Sequence, residues 1–117
     1  MIQVNKEQIK ALLAERAYSE PGWVEELLRF STFVDDVTGV LNLIPYTVAH
    51  FCSDQTKALK ISIALYNHGY ASLESLQETF ADPQFHDDAL EELKSALESA
   101  NLAEFLQPII AFAEGQV

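Results

Sequence analysis

Between Asp54 and Gly69 the chain carries a segment that is apolar on nearly every side of a helix. Ala58, Leu59, Ile61, Ile63, Ala64, Leu65 and Tyr66 all fall within nine residues. A helix greasy on most faces must be covered by other elements, which places it at the centre of a bundle. Ser53 and Asp54 supply caps at its start, and Asn67-His68-Gly69 supplies a glycine stop with a histidine in the last turn. Ile61, Ile63 and Leu65 also alternate, so Lys60 to Tyr66 fits a strand as well. The stop signal favours a helix from Gln55 to His68.

The remaining punctuation divides the chain into further helices. Asn5 and Gln8 have capping-box spacing, Val4 can staple onto Ile9, and Ile9, Leu12, Leu13 and Ala17 form one apolar stripe. Ser19-Glu20-Pro21 reads as a second start, with Trp23, Val24, Leu27, Leu28 and Phe30 as its buried side. A third helix is expected from about Thr32 to Asn42, through Phe33, Val37, Val40, Leu41 and Ile44, with Gly39 as a weak point. Pro45 breaks that run and leaves Tyr46 to Cys52 as a short helix or the first turns of a longer one.

Ser72 caps a helix that buries Leu73, Leu76 and Phe80. Asp82-Pro83 opens the most regular helix. Phe85, Ala89, Leu93, Ala96, Leu97 and Ala100 lie on its inner face, and Asp87, Glu91, Lys94 and Glu98 on its outer one. Asn101 can end it in left-handed conformation, with Leu102 folding back on Leu97, or can cap a last helix with Glu104 as box partner. That last helix carries Leu102, Phe105, Leu106, Ile109, Ile110 and Phe112, and Pro108 should kink or split it. The expected fold is all-α: one domain over residues 1–117, a compact orthogonal or irregular bundle of about six helices.

Charge separates the two halves. Residues 1–58 hold five basic and eight acidic residues, a balance of −3, whereas residues 59–117 hold two and ten, a balance of −8. Nine carboxylates fall between Glu74 and Glu104, with Lys94 the one Lys or Arg among them. Such a surface repels phosphate backbones and anionic headgroups, so neither direct nucleic-acid binding nor membrane binding is expected. A protein with a basic surface, whether or not that surface also binds nucleic acid, is the natural complement. The candidate contact residues are Glu74, Glu78, Asp87, Asp88, Glu91, Glu92 and Glu98. The apolar C-terminal helix offers a second surface, with Phe105, Ile109 and Phe112 as candidate homodimer contacts.

Catalytic and metal motifs are sparse. His50, Cys52 and Asp54 are close in sequence, but residues two apart on a helix point about 200° from one another and cannot share an ion. Glu-x-x-His is absent, because Thr47, Leu65 and Pro83 stand three residues before the histidines. Neither a metal nor a cofactor is expected, nor is enzymatic activity: the chain has no Gly-x-Ser-x-Gly, P-loop or dinucleotide fingerprint. The neighbouring carboxylates Glu25-Glu26, Asp87-Asp88 and Glu91-Glu92 diverge on a helix and read as solvated surface. Asp35 and Asp36 lie in an apolar stretch, and with His50 and Cys52 they define the alternative of a small ligand binder or enzyme. A lone Cys52, no stretch of 18 apolar residues and a polar start together suggest a cytoplasmic protein.

One stretch has a familiar rhythm. Ala58-Leu59-Lys60-Ile61 with Leu65-Tyr66-Asn67-His68-Gly69, then Ser72-Leu73 with Leu76, then Ala89-Leu90 with Leu93 and Leu97 to Leu102, resembles the helical core of winged-helix regulators. The resemblance spans residues 55–102, less than half the chain. It implies a helical trio and, as a second alternative function, a transcription-related regulator on a degenerate helix-turn-helix core. Gln84-Phe85-His86-Asp87-Asp88-Ala89 departs from it, carrying acid where base and phosphate contacts need Arg, Lys, Asn or Ser. The segment after Asn101 reads as a helix, with no clear wing. A trio so altered would serve assembly, with DNA binding lost.

Overall fold

In the computed structural model, which describes residues 2–18, 20 and 22–115, Asn5 and Gln8 form the capping box their spacing predicts. The Gln8 amide donates to Asn5 Oδ1 at 2.9 Å, and the Asn5 amide donates to Gln8 Oε1 at 3.2 Å. Helix α1, Lys6–Glu15, comes next and buries Ile9 and Leu13. Ala17 does not join this stripe as expected: it lies past the helix end at φ +61° and is exposed. Before α1 the chain is pinned to the start of the third helix: Val4 N–H donates to the Thr32 carbonyl at 2.9 Å and Val34 N–H to that of Ile2 at 3.0 Å.

Helix α2, Trp23–Phe30, begins after Gly22, which takes φ +88°. Of the start expected at Ser19-Glu20-Pro21, Ser19 and Pro21 lie outside the described residues. Trp23 and Leu27 are buried, Val24 and Phe30 half-buried. Leu28, expected on the buried side, is exposed, because one residue of helix turns it about 100° away from Leu27.

Helix α3 departs most from the sequence reading. Instead of ending near Asn42 it runs unbroken over Val34–His50, with Pro45 inside it, so Tyr46 to His50 form no separate short helix. An interior proline costs about 3 kcal/mol. Past the proline Thr47 is fully buried and Val48 packs against the core of Ile9, Trp23 and Leu27, and these contacts carry the helix on to His50. Pro45 itself faces solvent.

Helix α4, Gln55–Asn67, is the central helix, and the strand alternative for Lys60 to Tyr66 is set aside. Asp54 Oδ1 accepts from the amides of Thr56 and Lys57 at 3.0 and 3.1 Å. At the other end Gly69 takes φ +89°, and Tyr70 N–H closes onto the Leu65 carbonyl at 3.0 Å. The greasy circumference of α4 is explained by two cores that meet across it. Ala58 and Leu59 join Ile9, Leu13, Trp23, Leu27, Val37, Val40, Leu41 and Ile44 in one. Ile61 and Leu65 join Leu43, Leu76, Leu93, Leu97, Ile109 and others in the second.

Three features hold α3 against α4. Thr47 and Ser62, both fully buried, place their hydroxyl oxygens 3.0 Å apart; each also lies against its own helix, Thr47 Oγ1 at 3.1 Å from the Leu43 carbonyl and Ser62 Oγ at 2.8 Å from that of Ala58. Gly39 lets the Tyr66 ring lie directly on the α3 backbone: a Cβ there would stand 2.9 Å from Tyr66 Cζ, and closer still to Cε2. From that position the Tyr66 hydroxyl donates to Asp36 Oδ1 at 3.2 Å.

The second core is closed by α5 (Leu73–Ala81), α6 (His86–Ser99), a 3-10 turn (Ala103–Phe105) and α7 (Leu106–Ala113). Ser72 caps α5, and Leu73, Leu76 and Phe80 are buried as expected. Helix α6 starts at His86, later than the Asp82-Pro83 signal predicts. Residues 83–85 form a turn instead, in which Asp82 Oδ1 accepts from the Gln84 amide at 2.9 Å and the Asp82 carbonyl from those of Phe85 and His86. Ala89, Leu93 and Leu97 are buried and Ala96 half-buried, but Phe85 and Ala100, expected beside them, are exposed at the helix ends.

Asn101 takes φ +60° and Leu102 N–H closes onto the Leu97 carbonyl at 2.7 Å, so Asn101 ends α6 and caps no later helix. The last segment is split as expected, with Pro108 in the first turn of α7, where a missing N–H costs no intrahelical bond. Among the described residues there are seven α-helices, one more than expected, and no strand beyond an isolated Gln3–Phe33 bridge.

Gly39→Ala is expected to lower stability in urea unfolding by up to about 2 kcal/mol. Overpacking against Tyr66 costs about 1–3 kcal/mol and exceeds the roughly 1 kcal/mol gained from alanine's helix preference. Unchanged or higher stability would show that the ring moves aside freely.

Burial, then the hydrogen bond to Asp36, then the Asp36 and Asp35 charges push the Tyr66 phenol above its usual value of 10.0. Such a group stabilises the fold fully below about pH 10, the unfolded value, and loses that contribution as pH rises through the folded value. Melting temperature should therefore fall less steeply above about pH 10 in Tyr66→Phe than in the parent. Parallel slopes would contradict this.

Candidate interaction surface

Helix α6 buries one stripe, so the residues between its stripe positions must face out. Asp87, Asp88, Glu91, Glu92 and Glu98 are all exposed, as are Glu74 and Glu78 on α5. Of these seven, only Asp87 has an ion-pair neighbour among the described residues, His86 Nδ1 at 3.3 Å. Elsewhere in the acidic half, Lys57 approaches Glu104 at 3.4 Å. Asp87 and Asp88 suit the positive end of α6, but Asp87–Glu91 and Asp88–Glu92 are like-charge pairs at i, i+4. The Tyr70 phenol is pushed up by burial first and then by the Glu92 carboxylate.

An exposed aromatic adjoins this surface. Phe85, just before α6, is 50% exposed. His86 beside it is half-buried, edge-on to Phe80 at 5.6 Å, with Nε2 3.7 Å from Glu114 Oε1.

The alternative site is not assembled. Asp36 accepts from Tyr66 and Asp35 is exposed at the start of α3, while His50 is exposed at its end, about 20 Å away along the axis. His50 packs on Phe112 at 4.9 Å, and Cys52 Sγ lies 3.7 Å from the Asp54 carbonyl. Among the described residues no three His, Cys, Asp or Glu side chains group to hold a metal.

The candidate dimer contacts also separate. Ile109 is fully buried in the second core and offers nothing to a second copy. Phe105 is half-buried with Lys57 Nζ 5.8 Å from its ring, and Phe112 packs edge-on to Phe51 at 5.4 Å.

In the region resembling a winged-helix core, α6 packs against both α4 and α5. Its exposed first turn is acidic, and the 3-10 turn and α7 stand after it in place of a wing.

Sequence reasoning missed a cleft of about 370 Å³ between α3, α5 and α7, lined by Asn42, Tyr46, His50, Glu74 and Gln77 among others. Reading Pro45 as a break hid it. Asn42, Tyr46 and His50 are spaced i, i+4, i+8, which on an unbroken helix is one row.

No helix of the described residues is long and apolar enough to cross a membrane. Comparison with protein-family models, curated proteins and solved structures finds no match to this chain.

Proposed function

We propose that this chain is a non-catalytic interaction module: an inhibitor, immunity-type or regulatory partner of a protein whose basic surface ordinarily holds nucleic acid. The observation that carries the reading is the exposure of all seven candidate carboxylates, none with a Lys or Arg partner within ion-pair distance among the described residues.

Charge density supports the choice of partner. Four carboxylates fall in the six residues from Asp87 to Glu92. At 1.5 Å rise per residue that is one charge per roughly 2 Å of axis, close to the ~1.7 Å of duplex DNA. Exposed Phe85 beside this face provides the aromatic anchor that interfaces favour. A cationic partner would relieve the self-repulsion, and opposite fields would steer the encounter. The proposed setting is the cytoplasm, where a lone thiol, Cys52, stays reduced.

Capture from native lysate at low salt, followed by a salt gradient, tests the reading. Basic proteins should be retained and should elute as salt rises to about 0.3 M, where the Debye length falls to roughly 6 Å. Reversing Asp87, Asp88, Glu91 and Glu92 to lysine should abolish that retention; an unchanged set of retained proteins would exclude α6 as the contact.

Glu91→Gln with Glu92→Gln should weaken retention and, by removing two i, i+4 repulsions, raise stability by about 0.5–1 kcal/mol in urea unfolding. Lower stability would mean that these carboxylates serve the fold.

A further inference from the structure

We infer that the cleft between α3, α5 and α7 receives an arginine side chain of the basic partner. This rests on the proposed function and adds a specific anchor to it. The floor of the cleft includes Leu43 and Leu73, both buried. On its rim Tyr46 is 58% exposed, one of four large hydrophobic side chains left open among the described residues. Glu74 is the only Asp, Glu, Lys or Arg in the lining, and it has no ion-pair partner among the described residues.

Shape and chemistry favour one group. The cleft, about 370 Å³, lies at the small end of the usual range for ligand sites, roughly 300–1,000 Å³, so it suits a side chain better than a helix. Within its lining Gln77 Nε2 donates to the Phe112 carbonyl at 3.1 Å and ties α5 to α7.

A planar guanidinium can stack on the Tyr46 ring and hydrogen-bond Glu74 and the Asn42 amide together; a lysine ammonium matches only the charge. An anion is disfavoured by Glu74, and the Ser75 amide at the start of α5 is already taken by Ser72 Oγ at 3.1 Å. Glu74, one turn before Glu78 on α5, is the one candidate contact carboxylate that also lines the cleft.

The test is amide NMR of the full chain at low salt, titrated separately with the acetyl amides of arginine, lysine and leucine. The arginine compound should shift Leu43, Tyr46, Leu73 and Gln77 most strongly. Tyr46→Ala and Glu74→Gln should each weaken it about threefold or more. Equal responses to arginine and lysine, or shifts confined to α6, would overturn the cleft and leave the acidic-face reading standing. An equal response to leucine would also overturn it, marking an apolar cleft with no cation preference. No response to either cation anywhere on the molecule would overturn both.

Discussion

The contact between α3 and α4 is the constraint from which the rest of the architecture derives. Both cores are built on this pair, so neither half of the chain has an interior without it. The pair is specified by shape and by polarity. Gly39 admits Tyr66 where any side chain would collide, and Thr47 meets Ser62 where a slip along the axis would leave two buried hydroxyls apart. Each hydroxyl keeps a carbonyl of its own helix within reach, so the pair fixes register at little desolvation cost.

That dependence explains which parts of the fold are legible in the sequence. Signals settled locally are readable locally: the Asn5–Gln8 box, the Asp54 and Ser72 caps, the Gly69 stop and the left-handed Asn101. The central position of α4 is legible because its composition leaves only a narrow polar edge, Lys57, Lys60 and Asn67. Pro45 misleads because its local cost is real and is outweighed by tertiary burial that the sequence does not display. Gly39 looks like a weak point in a helix and is a seat for Tyr66, a role visible only once α4 is in place.

The candidate surface is legible for a different reason. Charged residues spaced between the buried positions of α6 have nowhere to go but outward, so the exposure of Asp87, Asp88, Glu91, Glu92 and Glu98 is a matter of periodicity alone. The C-terminal apolar residues are harder, because α7 is apolar on more than one side and the sequence does not say which side the core takes. The structure gives Ile109 and Ala113 to the core and leaves Phe112 to pack with His50 and Phe51.

Placement of the acid also reflects packing. The outer face of α6 carries charge that the fold does not neutralise, although lysine or glutamine there would keep the helix and remove two like-charge pairs. Stability alone therefore gives no reason for Glu91 and Glu92, whereas Asp87 and Asp88 in the first turn can be credited to the helix dipole. The same reasoning applies to Tyr46. An aromatic ring on the open side of α3 contributes little to either core, and only because the helix continues through Pro45 does it stand in one row with Asn42 and His50. The continuity that binds the two cores together is thus also what shapes the cleft proposed to receive a partner's side chain.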